Sequence, residues 1–210
     1  MSESALELHF RDLRQQREAA ELGMWIFLMT ELLLFGGLFT AYTIYRMSYP
    51  AAFAGASHEL SAPIGTINTA ILLVSSFGVA LAVYGAQVNA RKRLLGGLSL
   101  ALVLGIAFLV LKGYEYHEHY LHHQVPGWNF HWMKSYPAQS EIFFLLYFLM
   151  TGVHAIHLTI GIVIVAGLLF QASRGRYSPE YHTPVEVGGL YWHFVDVIWI
   201  FLFPLLYLIV

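Results

Sequence analysis

Apolar residues in this chain gather into five long runs, each reaching the roughly 20 residues that an α-helix needs to cross hydrocarbon. The runs cover residues 24–45, 64–87, 94–111, 140–171 and 190–210. The fourth is too long to be only a span; at about 1.5 Å per residue it predicts a helix that tilts or protrudes. Connections are short except between the third and fourth runs. That stretch holds five histidines (His117, His119, His122, His123 and His131), a Pro126-Gly127 turn, and Trp128 and Trp132 as interfacial anchors. The pattern predicts an all-α, polytopic membrane protein: a polar segment over 1–23, then a bundle of five transmembrane helices over 24–210. No internal repeat is visible, so the inverted-repeat design of many transporters finds no support.

Charge placement orients the bundle. Arg11, Arg14 and Arg17 precede the first run, Arg91, Lys92 and Arg93 separate the second and third, and Arg174 and Arg176 separate the fourth and fifth. These segments alternate onto one side and hold eight of the eleven Lys and Arg, leaving Arg46, Lys112 and Lys134 on the other. The positive-inside rule then makes the N-terminus cytoplasmic and the C-terminus external. Composition agrees with a membrane protein, with 58% hydrophobic and only 11% charged residues and a mean hydropathy of +0.60. A net charge of −2 without a basic face argues against nucleic acid as a partner. The absence of cysteine excludes disulfides, thiolate metal sites, iron–sulfur clusters and covalent c-type haem. Residues 1–22 are polar and mixed in charge, unlike a cleavable signal peptide.

Within the runs a few polar residues stand out, because an ionised group near hydrocarbon costs several kcal/mol unless it is neutralised or paired. Glu31 lies about seven residues into the first run, about 10 Å below the surface. Asp196 lies at a similar depth in the fifth, three positions after His193, so the two carboxyls could share one polar layer. His154 and His157 occupy one face of the fourth run. A b-type haem needs histidines facing each other from two helices, and His193 is too shallow to face this pair. Hydrogen bonding to Ser, Thr or backbone on adjacent helices is the better account, with Glu115 a further partner if the packing allows it. His119 and His123 would be four apart in a helical continuation of the third run, a spacing that can bind zinc. No third ligand is specified, and a solvated or partner-facing loop is preferred. Gly36, Gly37, Gly78, Gly85, Gly161 and Gly167 read as close helix packing, and the many aromatics as lipid-facing and interfacial filler.

Five strings together resemble the cytochrome c oxidase subunit III family. The last run contains YWHFVDVIW, matching the hallmark Tyr-Trp-His-Phe-Val-Asp-Val-x-Trp. The first reads MWIFLMTELLLFGGLFTAY, similar to the helix with a buried glutamate before a Phe-rich stretch. The second opens INTAILLVSS, beginning at Asn68-Thr69 like the family's Leu-Asn-Thr-x-x-Leu-Leu-x-Ser-Ser. The third ends KGYEY, where the family has Gln-x-x-Glu-Tyr, and the fourth carries TGVHAIHLTIG, matching Gly-x-His-x-x-His-x-x-x-Gly. His182 and Glu186, four apart, resemble the family's cytoplasmic loop. The matches run in order over residues 24–210. Many members have seven helices; this chain begins at what resembles their third, so one wall of their phospholipid-filled cleft is absent. Lys112 replaces the usual glutamine, and from its position is expected to snorkel at the external interface.

The resemblance implies a non-redox accessory subunit of a haem–copper terminal oxidase in aerobic respiratory electron transfer, with no catalytic residue on this chain. It implies packing on oxidase subunit I, which carries haem and copper, together with subunit II and a small extra membrane subunit. It implies no cofactor here beyond structural phospholipid, with head groups near Arg91, Lys92 and Arg93, in a bacterial cytoplasmic (inner) membrane. Glu31, Asp196 and His193 would support proton uptake or form a buried polar layer; His154, His157, Asn68 and Glu115 would make interhelical contacts or line the lipid cleft. Glu31 could equally be a protonated carboxyl acting as interhelical glue. Glu31 and Asn68-Thr69 lean toward a cytochrome c oxidase, with subunit III of a quinol oxidase or a nitric oxide reductase homologue as alternatives. From a different class, a small proton-coupled transporter would need a water-filled path and usually broken helices. Only Pro204 interrupts a run. A self-contained b-type cytochrome would be red, whereas this chain is expected to be colourless.

Overall fold

The computed structural model describes residues 10–127, 130–131 and 137–208. Trp128, Trp132, Lys134 and the C-terminal residue lie outside them. Six helices follow in order: α1 (Leu13–Ser48), α2 (Pro50–Ser57), α3 (Ala62–Gln87), α4 (Arg91–Leu121), α5 (Pro137–Ser173) and α6 (Thr183–Tyr207). All but α2 are long and apolar enough to cross a membrane. The protein is an all-α, multi-pass membrane bundle with five candidate spans.

The helices outrun the apolar segments, because polar residues continue a helix wherever local bonds satisfy it. Asp12 caps α1 by accepting the Gln15 N–H at 2.7 Å, and Arg14–Glu18 and Arg17–Glu21 bridge successive turns at 2.9 and 2.7 Å. Residues 13–23 are therefore helical, and α1 at 36 residues is about 54 Å long. α4 likewise runs past the apolar segment to Leu121, which puts Glu115 and His119 on a helix. α6 begins at Thr183 with Pro184 in its first turn, so His182 and Glu186 are its cap and first turn, where a loop was expected.

The connection between the first two spans is also more than a loop. Its PAAFAGAS segment forms α2, with Ala52, Phe53, Ala56 and Ser57 buried. Phe53 meets Tyr42 of α1 and Phe143 of α5 edge-on, at 5.4 Å to each ring. Eight residues fall short of a span, so a criterion of length passed this helix over.

Two groups of small residues fix the bundle. α3 and α4 form an antiparallel hairpin whose seam is Gly78, Ala82 and Gly85 against Leu94, Gly97 and Ala101. A Cβ on Gly97 would strike the backbones of Gly78 and Ala82. In α6, Trp192 lies against Gly105 of α4 and Gly161 of α5, where an added Cβ would come within 2.7 and 3.2 Å of its indole. In lipid, where apolar contact has no hydrophobic drive, such close approach is what holds helices together. α6 is the central element, with half of its most apolar stretch buried against 11% for α1, which lies outside against α5 and α6. Gly36, Gly37 and Gly167 face open space, so they make no close packing within this bundle. Many aromatics expected to face lipid are core instead: Phe35, Phe108, Phe143, Phe144, Tyr147, Trp192 and Trp199 are fully buried.

Gly97→Ala is expected to lower the thermal midpoint in detergent by an amount equivalent to about 1–3 kcal/mol of overpacking. Gly37→Ala, with open space around it, should leave the midpoint unchanged or raise it slightly. Equal losses in both would mean that the seam lies elsewhere.

Candidate functional site

Glu31 on α1 and His157 on α5 meet at the edge of the bundle. The carboxyl Oε2 and imidazole Nε2 are 2.9 Å apart, and residual side-chain exposures of 16% and 13% keep both within reach of the bundle surface. The Nδ1 of His157 lies 2.8 Å from the Val153 carbonyl. A carbonyl only accepts, so Nδ1 carries a hydrogen. The Glu31–His157 contact then has two complementary forms, a carboxylic acid donating to a neutral ring or an imidazolium donating to a carboxylate. Phe35 stands edge-on to the imidazole at 5.4 Å, and the Tyr191 hydroxyl donates to the His157 carbonyl at 2.9 Å.

Asp196 and His193 turn to another side of α6, toward α3. His193 Nδ1 is 2.6 Å from the Ser76 hydroxyl, Trp192 Nε1 donates to Ser75 at 3.1 Å and Trp199 Nε1 donates to Thr69 at 3.0 Å. Thr69, Ser75 and Ser76 of INTAILLVSS are therefore partners of YWHFVDVIW. Asp196 lies beside Ser76, but neither carboxyl oxygen is hydrogen-bonded. Glu31 and Asp196 thus belong to different interfaces and do not pair. Asn68 is fully buried with its amide unbonded. His154 departs from its expected role: both ring nitrogens lack partners, and the ring packs between Phe108 and Trp199 at 5.6 and 5.2 Å.

The largest departure is Lys112. An ammonium expected to snorkel is 3% exposed. It donates to Glu115 at 2.8 Å, to the Tyr207 hydroxyl at 2.6 Å and to the Tyr147 hydroxyl at 3.3 Å. The rings of Trp199, Tyr147 and Tyr207 surround it at 4.8, 5.1 and 5.2 Å. Tyr207 also donates to the other oxygen of Glu115 at 2.7 Å. The reason for the departure is the length of α4: the helix continues past the apolar run and turns Lys112, Glu115, Tyr116 and His119 inward on one face. That i, i+3, i+4, i+7 spacing is the signal that could have found the cluster. His119 is buried too, 2.6 Å from the Gln124 side chain. The helix ends at Leu121, His123 takes a left-handed φ of 56° and the Gln124 N–H returns to the His119 carbonyl at 3.0 Å. His119 and His123 are therefore not four apart on one helix, so the spacing that could have bound zinc is not realised. Among the described residues no cluster of three or more His, Asp or Glu is placed to hold a metal.

The basic segments gather at one end of the bundle, where Glu186 draws three elements together. It takes Arg17 of α1 at 3.1 Å, Gln87 of α3 at 2.7 Å and His182 at 3.2 Å. A cavity of about 450 Å³ opens there among α1, α3 and α6. Arg91 donates to the Ser173 carbonyl at 2.6 Å, Arg93 covers the Tyr84 ring and Lys92 is exposed. Beside Arg91, the Tyr177 hydroxyl is buried without a partner, which pushes it up to about 12.

The family model of cytochrome c oxidase subunit III matches residues 7–209. The chain belongs to the cytochrome c oxidase subunit III family. It is similar to cytochrome c oxidase subunit 3 of Thermostichus vulcanus, at 36% identity over 90% of this chain and 86% of the relative. It is 34% identical to cytochrome c oxidase subunit 3 of Synechocystis, over 89% of this chain and 74% of the relative. It is also 31% identical to a probable quinol oxidase subunit 3 of Staphylococcus saprophyticus, over 90% and 88%. As subunit III of a haem–copper oxidase, the protein works within a multi-subunit membrane complex.

Breaking the buried pair on one side strands a charge. Lys112→Met or Glu115→Leu alone is expected to destabilise subunit III by about 3–5 kcal/mol, while the double substitution recovers most of the loss. Unfolding midpoints in detergent, combined as a double-mutant cycle, measure the coupling. Additive losses would show that the ion pair carries none of it.

Proposed function

We propose that this subunit packs on oxidase subunit I, stabilises it and sustains proton uptake from the cytoplasmic side, without a redox centre of its own. The observation that carries the reading is the Glu31–His157 contact: two titratable groups on different helices within one hydrogen bond of each other. A pair of this kind takes up a proton or passes one on through a single hydrogen bond, with little rearrangement. The basic end, tied together by Arg17, Glu186 and Arg91, is the cytoplasmic one by the positive-inside rule. The cavity at that end, with Arg17, Glu21, Glu186 and His193 in its wall, supports access from that side.

Haem and copper belong to subunit I, and subunit II and a small extra membrane subunit complete the assembly. The exposed side chains of Arg91, Lys92 and Arg93 suit phospholipid head groups. Cytochrome c is the favoured donor on Glu31 and Asn68-Thr69, with quinol as the alternative.

Glu31→Ala should leave assembly intact, because His157 keeps its Nδ1–H on Val153 and no charge is stranded. Sustained turnover of the complex should nevertheless fall, most at alkaline pH where protons are scarce. A variant that holds wild-type turnover from neutral to alkaline pH would remove the proton-uptake role and leave Glu31 as interhelical glue.

His154→Ala and His157→Ala should leave the haem spectrum and metal content of the complex unchanged. His157→Ala should weaken retention of the subunit slightly, by the roughly 0.6 kcal/mol that an average membrane hydrogen bond contributes. Loss of haem from either variant would overturn the non-redox assignment.

A further inference from the structure

The long connection between α4 and α5 brings two histidines together at the end of the bundle opposite the basic segments. α4 ends at Leu121, and the chain turns sharply after it. His123 takes a left-handed φ of 56°, and its N–H bonds the Tyr120 carbonyl at 3.2 Å. The buried Gln124 side chain is held on His119 of α4 at 2.6 Å, and the Gly127 N–H bonds Glu141 of α5 at 3.0 Å. The turn is thus pinned to both helices. The chain comes back across it at His131, whose N–H donates to the His123 carbonyl at 3.0 Å.

That main-chain bond fixes the spacing of the two side chains. Their rings stand 6.0 Å apart with planes at 76°, and both residues are exposed, so their nitrogens are open to an ion from solution. Two imidazoles sharing one tetrahedral ion, with nitrogens about 2.0–2.1 Å from the metal, have ring centres about 5 Å apart. A small rotation of two exposed side chains closes the difference, because the backbones are already joined. Left-handed backbone is commonest at glycine and asparagine, so the histidine at 123 places a ligand where the turn itself asks for neither its bulk nor its ring.

We propose that His123 and His131 form a two-histidine site for a divalent transition-metal ion of the zinc class, with water in its remaining positions. Imidazoles without thiolate or grouped carboxylates suit zinc, nickel or copper(II), whereas magnesium and calcium favour oxygen ligands. Among the described residues no third His, Asp or Glu is grouped with the pair, so the site is open and its ion exchangeable. His119, four positions before His123, takes no part, since it is buried on Gln124. Bound there, the ion would staple the end of α4 to the chain entering α5. The proposal is independent of the proton-uptake reading.

The test uses the intact oxidase complex, purified without a polyhistidine tag. It is dialysed to equilibrium against micromolar zinc chloride with magnesium in excess, and zinc per complex is measured by mass spectrometry. The wild type should hold one zinc ion more than His123→Asn or His131→Gln; asparagine keeps the left-handed turn. Each single change should weaken that binding by about tenfold or more, because the tethered second imidazole acts at a high effective concentration. The double variant should lose no more than either single one, since removing one arm already breaks a chelate. His117→Gln, at another exposed histidine of α4, should leave the zinc content unchanged. Partial losses that add up in the double variant would mean independent, adventitious binding only and overturn the proposal. Equal zinc in the wild type and the double variant overturns it too, as does an equal loss in His117→Gln.

Discussion

Hydrocarbon supplies no hydrogen bonds, so each polar side chain that enters it must find its partner inside the bundle or remain unpaired at a cost. The structure is arranged around that constraint. α6 carries Tyr191, Trp192, His193, Asp196 and Trp199, and it occupies the centre, where α3, α4 and α5 lie against it. Trp192 shows the coupling most directly. Its indole fits against Gly105 and Gly161, and its N–H reaches Ser75 at 3.1 Å. Close approach and hydrogen bonding are here one contact, each available only because the other is.

Two kinds of charged centre result. Glu31–His157 is peripheral, partly exposed and built from two titratable groups joined by one hydrogen bond. Lys112–Glu115 is enclosed by aromatic rings and saturated with hydrogen bonds. The first geometry suits a group that exchanges protons, the second a group that holds its neighbours still. Tyr147 and Tyr207 carry the fixed centre across α5 and α6, while the Tyr42 hydroxyl ties α1 to the Leu205 carbonyl at 2.7 Å. Asp196, Asn68 and His154 form a third class, buried polar groups without hydrogen-bond partners. They lie on α6, α3 and α5.

The sequence by itself determined the class, the five spans and the family, because long apolar runs and the order of short motifs are properties of the chain alone. It also singled out Glu31 and His157, since ionisable residues in apolar runs are conspicuous wherever they fold. It could not pair them, because their 126 positions of separation are closed only by the packing of α1 on α5. It missed α2, too short for a span, and it placed Lys112 at the surface because the apolar run ends one residue earlier. Only the tertiary structure decided where α4 stops and which way its last turns face. A helix end is set by the bonds its polar residues find, and for Lys112, Glu115 and His119 those bonds come from other helices. Linear hydrophobicity therefore located the spans, while the environment of each charge was settled by which helices came to lie beside it.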